Sequence, residues 1–302
     1  MDTIKFNIKI SKWANFYFFI QNLSEWHFSN RKDYNLFWRK TLGVFSTQEE
    51  DALKRFKKIH LQYPFGELYL GRQFFLEENP WVVLEQKLLK EDFINLKKIF
   101  SLLKEKFDNF YNQELFLLKK WQTTLQKKLN NKSLITAINA TLSKLYATFL
   151  LSKDITIYLL PSTKNHTGGT GGIINDKSIN LEISHFSLEK PNQVIGIIWH
   201  EVTHLYFEKQ SFLLLVNKKY PNDPDAVNLI KEAANSSLFP NGVLGIKFLN
   251  TQRKLLSTKI PLEYTKKLVT LADIFIKENK SFDDEYIKKV YSLTYKLKGI
   301  LK

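Results

Sequence analysis

Apolar residues recur at three- and four-residue spacing through most of the first half of the chain, with few Gly or Pro to interrupt them, which predicts a mainly helical region. The best-patterned stretches run from Glu49 to His60, Pro80 to Lys90, Asp92 to Lys128 and Ser133 to Leu151, with Tyr63-Pro64-Phe65-Gly66 as the break after the first. From Asp154 the pattern changes. Ile155 to Pro161 reads as a strand, a glycine-rich loop follows, and the segments on either side of Asp176-Lys177 read as a hairpin. Pro191 suits the first turn of a helix that runs through residues 200–204 to about Lys209. Asp223 followed by Pro224 is a cap and first-turn signature for a helix carrying Ala226 to Leu238 and stopping at Phe239-Pro240-Asn241-Gly242. Two more helices, Pro261 to Glu278 and Asp283 to Leu301, follow. The expected fold is α+β and mainly helical, with a helical region over 1–132 and a second domain over 133–302 that holds a small sheet.

Composition narrows the function classes. At 302 residues with 44% apolar content, including 24 Phe, 13 Tyr and 6 Trp, the chain can bury a substantial core and is not a disordered polymer. The formal charge of +15 invites a nucleic-acid reading. Its lysines, however, are scattered as pairs such as Lys57-Lys58, Lys127-Lys128 and Lys266-Lys267 beside apolar neighbours, the arrangement of solvated helix faces. Cysteine is absent, which removes disulfides, thiolate metal sites and a cysteine nucleophile, so any metal must use His and carboxylate ligands. No signal peptide is read at the N-terminus, where Asn15 and Gln21 break the apolar run, and no window approaches the roughly 18 apolar residues of a membrane span. A cytoplasmic location without a membrane partner is expected.

The chemistry is concentrated in His200-Glu201-Val202-Thr203-His204. Positions i and i+4 of a helix share one face, so His200 and His204 can aim imidazole nitrogens at one metal ion. Glu201 is one residue past the first of them, and its carboxylate can reach a water at the metal rather than the metal itself. Composition alone predicts about 0.007 such matches by chance. The flanks Ile197, Ile198, Trp199, Leu205 and Tyr206 carry no charge, as in a buried helix whose ionisable groups serve one purpose.

With this motif the segment resembles the zincin metallopeptidases, in which a helix of the same pattern follows a small sheet. The metzincin variant would need Gly and His at positions occupied by Phe207 and Gln210, so the resemblance is to gluzincins, over about residues 133–240. It implies a zincin-like core, a Zn2+ cofactor, a peptide or protein substrate and hydrolysis with Glu201 as general base. It also implies a glutamate ligand on the next helix, where Glu232 stands. Position 236, where such families often carry an Asp that orients a ligand histidine, is Ser236. Glu208 competes for the ligand role, but it lies eight residues beyond His200, roughly 12 Å along a helix, and suits a supporting position better.

In the same reading Gly171, Gly172, Ile173 and Ile174 belong to a glycine-rich approach to an edge strand over Ile173 to Asn175, where a peptide can add as a strand; a flexible hairpin connector is the equal alternative. Tyr206, Tyr220 and Tyr264 are the candidates for a phenol that stabilises an oxyanion, with Tyr264 taken first. His27 and His60 read as structural, and His166 and His185 as histidines that flank the active-site strands. An inactive zincin-like scaffold and a basic nucleic-acid-binding protein are the competing functions.

Overall fold

The computed structural model describes residues 4–25, 32–63, 70–148, 153–162, 168–172, 174–175, 177–184, 190–251 and 262–297. His27, His166, Ile173 and His185 lie outside them.

The chain opens with a strand, β1 (Ile4–Lys9), whose residues alternate strictly between buried and exposed. Seven helices follow: α1 (Lys12–Leu23), α2 (Lys32–Leu42), α3 (Thr47–Gln62), α4 (Leu70–Leu76), α5 (Pro80–Lys87), α6 (Lys90–Leu129) and α7 (Lys132–Leu145). The longest is α6. Its 40 residues span about 60 Å, and Phe93, Leu96, Phe100, Leu103, Phe107, Phe110, Leu118 and Leu125 form the apolar stripe that meets the rest of the molecule. Acidic Glu91 and Asp92 sit in its first turn and basic Lys127 and Lys128 in its last, each at the end its charge favours.

Strands β2 (Lys153–Ser162), β3 (Gly168–Gly171) and β4 (Ser178–Ser184) join β1 in one mixed sheet of order β1-β2-β4-β3. The pairs β1·β2 and β2·β4 are parallel, whereas β3 runs antiparallel along the outer edge of β4. The first half therefore contributes a strand as well as helices. β1 pairs Ile4 with Lys153 and Ile8 with Ile157, and its inward Phe6 meets Trp199 edge-on at 5.8 Å.

The sheet is followed by α8 (Pro191–Val202), a π-helical turn over Thr203–Phe207, α9 (Phe212–Lys219), α10 (Pro224–Leu238), α11 (Val243–Leu249), α12 (Leu262–Lys277), α13 (Asp284–Thr294) and a short 3-10 turn, Tyr295–Leu297. One cluster of buried apolar residues runs from Ile4 to Leu297, and within it Phe16 and Phe107 stack at 4.1 Å. His60 belongs to that core: it is fully buried against Tyr17, whose hydroxyl meets its Nε2. Among the described residues no helix is long and apolar enough to cross a membrane.

Candidate metal centre

Helix α8 begins at Pro191, with the Lys190 N–H donating to Gln193 Oε1 at 3.0 Å. Val194, Ile195, Ile198, Trp199 and Val202 are buried, which leaves His200, Glu201 and His204 on the remaining face. The predicted helix does continue past His204, but through a wider turn: the Glu208 N–H donates to Thr203 O at 3.1 Å, an i to i+5 bond. Gly196 lies one turn before His200, and a Cβ there would come within 2.8 Å of Pro240 Cα. Its bareness lets residues 239–240 rest on α8, and Phe239 then places its carbonyl 3.2 Å from His200 Nδ1.

Helix α10 starts as its signature predicts, with the Asp223 side chain accepting from Ala226 N at 3.0 Å and Pro224 in the first turn. Leu229, Ile230, Ala233 and Ala234 are buried, and the small alanines allow α10 to pack close. Glu232 sits at the margin of that face. Its side chain is 55% exposed while its carboxylate reaches over the two imidazoles.

His200 Nε2 and His204 Nε2 are 3.0 Å apart, Glu232 Oε2 is 3.7 Å from the former, and Oε1 is 3.4 Å from the latter. Ligand atoms placed tetrahedrally around an ion with bonds of about 2 Å are about 3.3 Å from one another. The observed separations bracket that value, so His200, His204 and Glu232 could hold a metal ion. The electrostatics agree. Burial pulls the His200 pKa down, but the Glu232 carboxylate, followed by Glu201 and the Phe239 carbonyl, raises it to about 9. Glu232 is pushed up by burial and drawn down more strongly by His200, His204 and Lys231, to about 2.

Glu201 points toward the sheet, where its Oε2 accepts the Gly171 N–H at 2.8 Å. Here the expected strand boundaries need correction. The edge strand is the glycine run itself, Gly168–Gly171, and Ile174 and Asn175 lie outside any strand. Ile174 is a buried core residue at the hairpin, 3% exposed. The cause is steric: a Cβ on Gly169 would lie 2.8 Å from Ile197 Cγ2 and 3.0 Å from Glu201 Cγ, and one on Gly171 would lie 3.1 Å from Leu205 Cγ. At Gly169 and Gly171, which face α8 and Leu205, β3 packs too closely for a side chain to fit without a shift. Gly172 turns the chain at φ +77° and donates its N–H back to Ser178 O at 3.0 Å.

Around the cluster lies a set of polar residues that sequence reasoning did not bring together. His204 Nδ1 is 2.8 Å from Glu208 Oε2, Lys231 Nζ is 3.2 Å from Glu208 Oε1, and Asn235 Nδ2 donates to Glu208 Oε2 at 2.8 Å. The Tyr146 hydroxyl donates to Asn235 Oδ1. Asn235, three residues after Glu232 on α10, is a buried amide beside the buried Ser236 and Ser237. A carboxylate thus faces His204 Nδ1 from Glu208, whereas position 236 carries the buried Ser236.

The three candidate tyrosines have different surroundings. Tyr264 lies on α12 with Lys267 Nζ 5.9 Å above its ring, and among the described residues no hydrogen bond or ring contact links it to His200, His204 or Glu232. Tyr220 caps α9 and packs on Tyr291 at 4.5 Å. Tyr206 lies in the π-helical turn, partly buried against the core. No protein-family model, curated protein or solved structure matches the chain.

Proposed function

We propose that this protein is a zincin-like, gluzincin-type peptide hydrolase in which His200, His204 and Glu232 hold Zn2+ and Glu201 is the general base. The observation that carries the reading is the direction of the two imidazoles. Each outer nitrogen is beside an acceptor, Phe239 O for His200 and Glu208 Oε2 for His204, so each ring can keep its proton there and turn a bare Nε2 inward. Two lone pairs and a carboxylate converging within 3.0 to 3.7 Å repel one another unless a proton or a cation lies between them. Two imidazoles and one carboxylate are the donor set of a zinc site with an open fourth position.

When bound, zinc supplies Lewis acidity that polarises a carbonyl and acidifies water to near neutral pH. Glu201 then takes the proton of the attacking water and returns it to the leaving amine. The Gly171 N–H holds this carboxylate at the sheet edge. Since the Gly172 N–H faces β4, the peptide groups of Gly169 and Gly171 turn toward the free edge of β3. An extended peptide added along that edge would lie with its backbone beside Glu201.

The test is metal analysis of the purified protein together with cleavage of a fluorogenic peptide library. Wild type should carry about one zinc per chain, lost in His200→Ala and His204→Ala. Glu201→Gln should keep the metal and lose hydrolysis by at least roughly 100-fold. Metal retained in both histidine variants refutes the site, metal lost from Glu201→Gln makes Glu201 a ligand, and a metal-loaded wild type that cleaves nothing is an inactive scaffold.

A further inference from the structure

We infer that Glu208 is a positioning residue that selects the metal-binding tautomer of His204, with Lys231, Asn235 and Tyr146 holding its carboxylate in place; this deepens, and rests on, the metal-site reading above. Glu208 is 2% exposed, and a carboxylate so buried must be fully partnered. Lys231 takes Oε1 at 3.2 Å, and Oε2 faces both Asn235 Nδ2 and His204 Nδ1 at 2.8 Å. Turning the Asn235 amide round would set its oxygen against the Glu208 carboxylate, so the amide keeps its NH2 there and its oxygen toward the Tyr146 hydroxyl.

His204 Nδ1 consequently has two neighbours that ask for opposite tautomers. The Asn235 amide nitrogen, 2.7 Å away, could donate to it. That would place the ring proton on Nε2, pointing into the cluster and blocking a metal. The Glu208 carboxylate can only accept, which keeps the proton on Nδ1 and leaves Nε2 bare. The carboxylate prevails: hydrogen bonds to an ionised acceptor are roughly twice as strong as neutral ones, and the amide hydrogen is itself directed at the same oxygen. For His200 the corresponding acceptor is the Phe239 backbone carbonyl, which no substitution removes. For His204 it is a side chain, and the π-helical turn brings it there.

In Glu208→Gln, Lys231 draws the amide oxygen and the NH2 turns to Nδ1. Nitrogen-15 NMR of the metal-free protein at pH 10, where His200 is neutral, should show His204 protonated at Nδ1 in wild type and at Nε2 in the variant. Zinc affinity, measured by chelator competition, should fall by roughly 10- to 100-fold. Lys231→Met combined with Glu208→Gln removes both members of the buried pair, which protects the fold if the single variant unfolds, and should weaken zinc to a similar degree. An Nε2–H tautomer in wild type overturns the inference, as does zinc binding within twofold of wild type in the folded variants. So does a loss of thermal stability without a change of tautomer, the mark of a merely structural role. A tautomer switch between wild type and Glu208→Gln, in a protein that takes up no metal, supports the role of Glu208 and sinks the metal reading instead.

Discussion

Raising the pH from 7 to 9 is expected to tighten metal binding by up to roughly 50-fold, because the metal must displace a proton held on His200. In the metal-free protein that imidazole has its pKa raised from 6.5 to about 9, against its burial, chiefly by Glu232. The protonated ring thus stabilises the metal-free fold fully below pH 6.5, and this contribution is lost as pH rises through about 9. Metal affinity has the opposite sign. Two units below the pKa about 1% of the rings are neutral, so the apparent affinity should climb about tenfold per pH unit and level off above 9. Glu232 adds no slope in this window, since its pKa is lowered to about 2. Its own contribution is present above about 4.5 and is lost only as pH falls through about 2. Its side chain is 55% exposed, and screening by water makes roughly 50-fold an upper bound. Titration calorimetry in buffers of different ionisation heat counts the protons released, near one per metal at pH 7 and half that near pH 9. Uptake without proton release, or an affinity flat between pH 7 and 9, would refute this account of the site.

Glu232→Ala should weaken zinc binding severely and remove activity, whereas Glu208→Ala should leave most of the metal bound at saturating zinc; metal content after dialysis with excess zinc separates the two. Gly169→Ala forces a Cβ to within 2.8 Å of Ile197 Cγ2 and 3.0 Å of Glu201 Cγ. It should cost about 1–3 kcal/mol of stability and lower turnover by displacing Glu201. Gly168→Ala, with nothing within 4 Å, should do neither. Thermal melts with parallel assays check both, and equal behaviour of the two variants contradicts the packing argument.

What could be read from the chain alone was whatever depends on near neighbours in sequence. The pairing of His200 with His204 follows from the rise of one helical turn, the start of α10 from Asp223 and Pro224, and the apolar stripe of α6 from its three- and four-residue spacing. Glu232 was legible as the third member only through a family resemblance. Tertiary structure decided the rest. β1 shows brief alternation that becomes a strand only because β2 pairs with it, far along the chain. The glycine-rich run offers no apolar alternation to read; it is a strand because β4 supplies hydrogen bonds, and α8 and Leu205 leave little room for a Cβ at Gly169 and Gly171. Phe239 contributes a carbonyl, which no side-chain pattern encodes, and it arrives because Gly196 lets residues 239–240 close on α8. Side-chain identity and helical period set which groups could act on a metal. Their convergence needed long-range packing, since tautomer, charge and distance at His200 and His204 depend on atoms from Tyr146 at the end of α7, from α10 and from the turn after it, brought together only by burial of the common core.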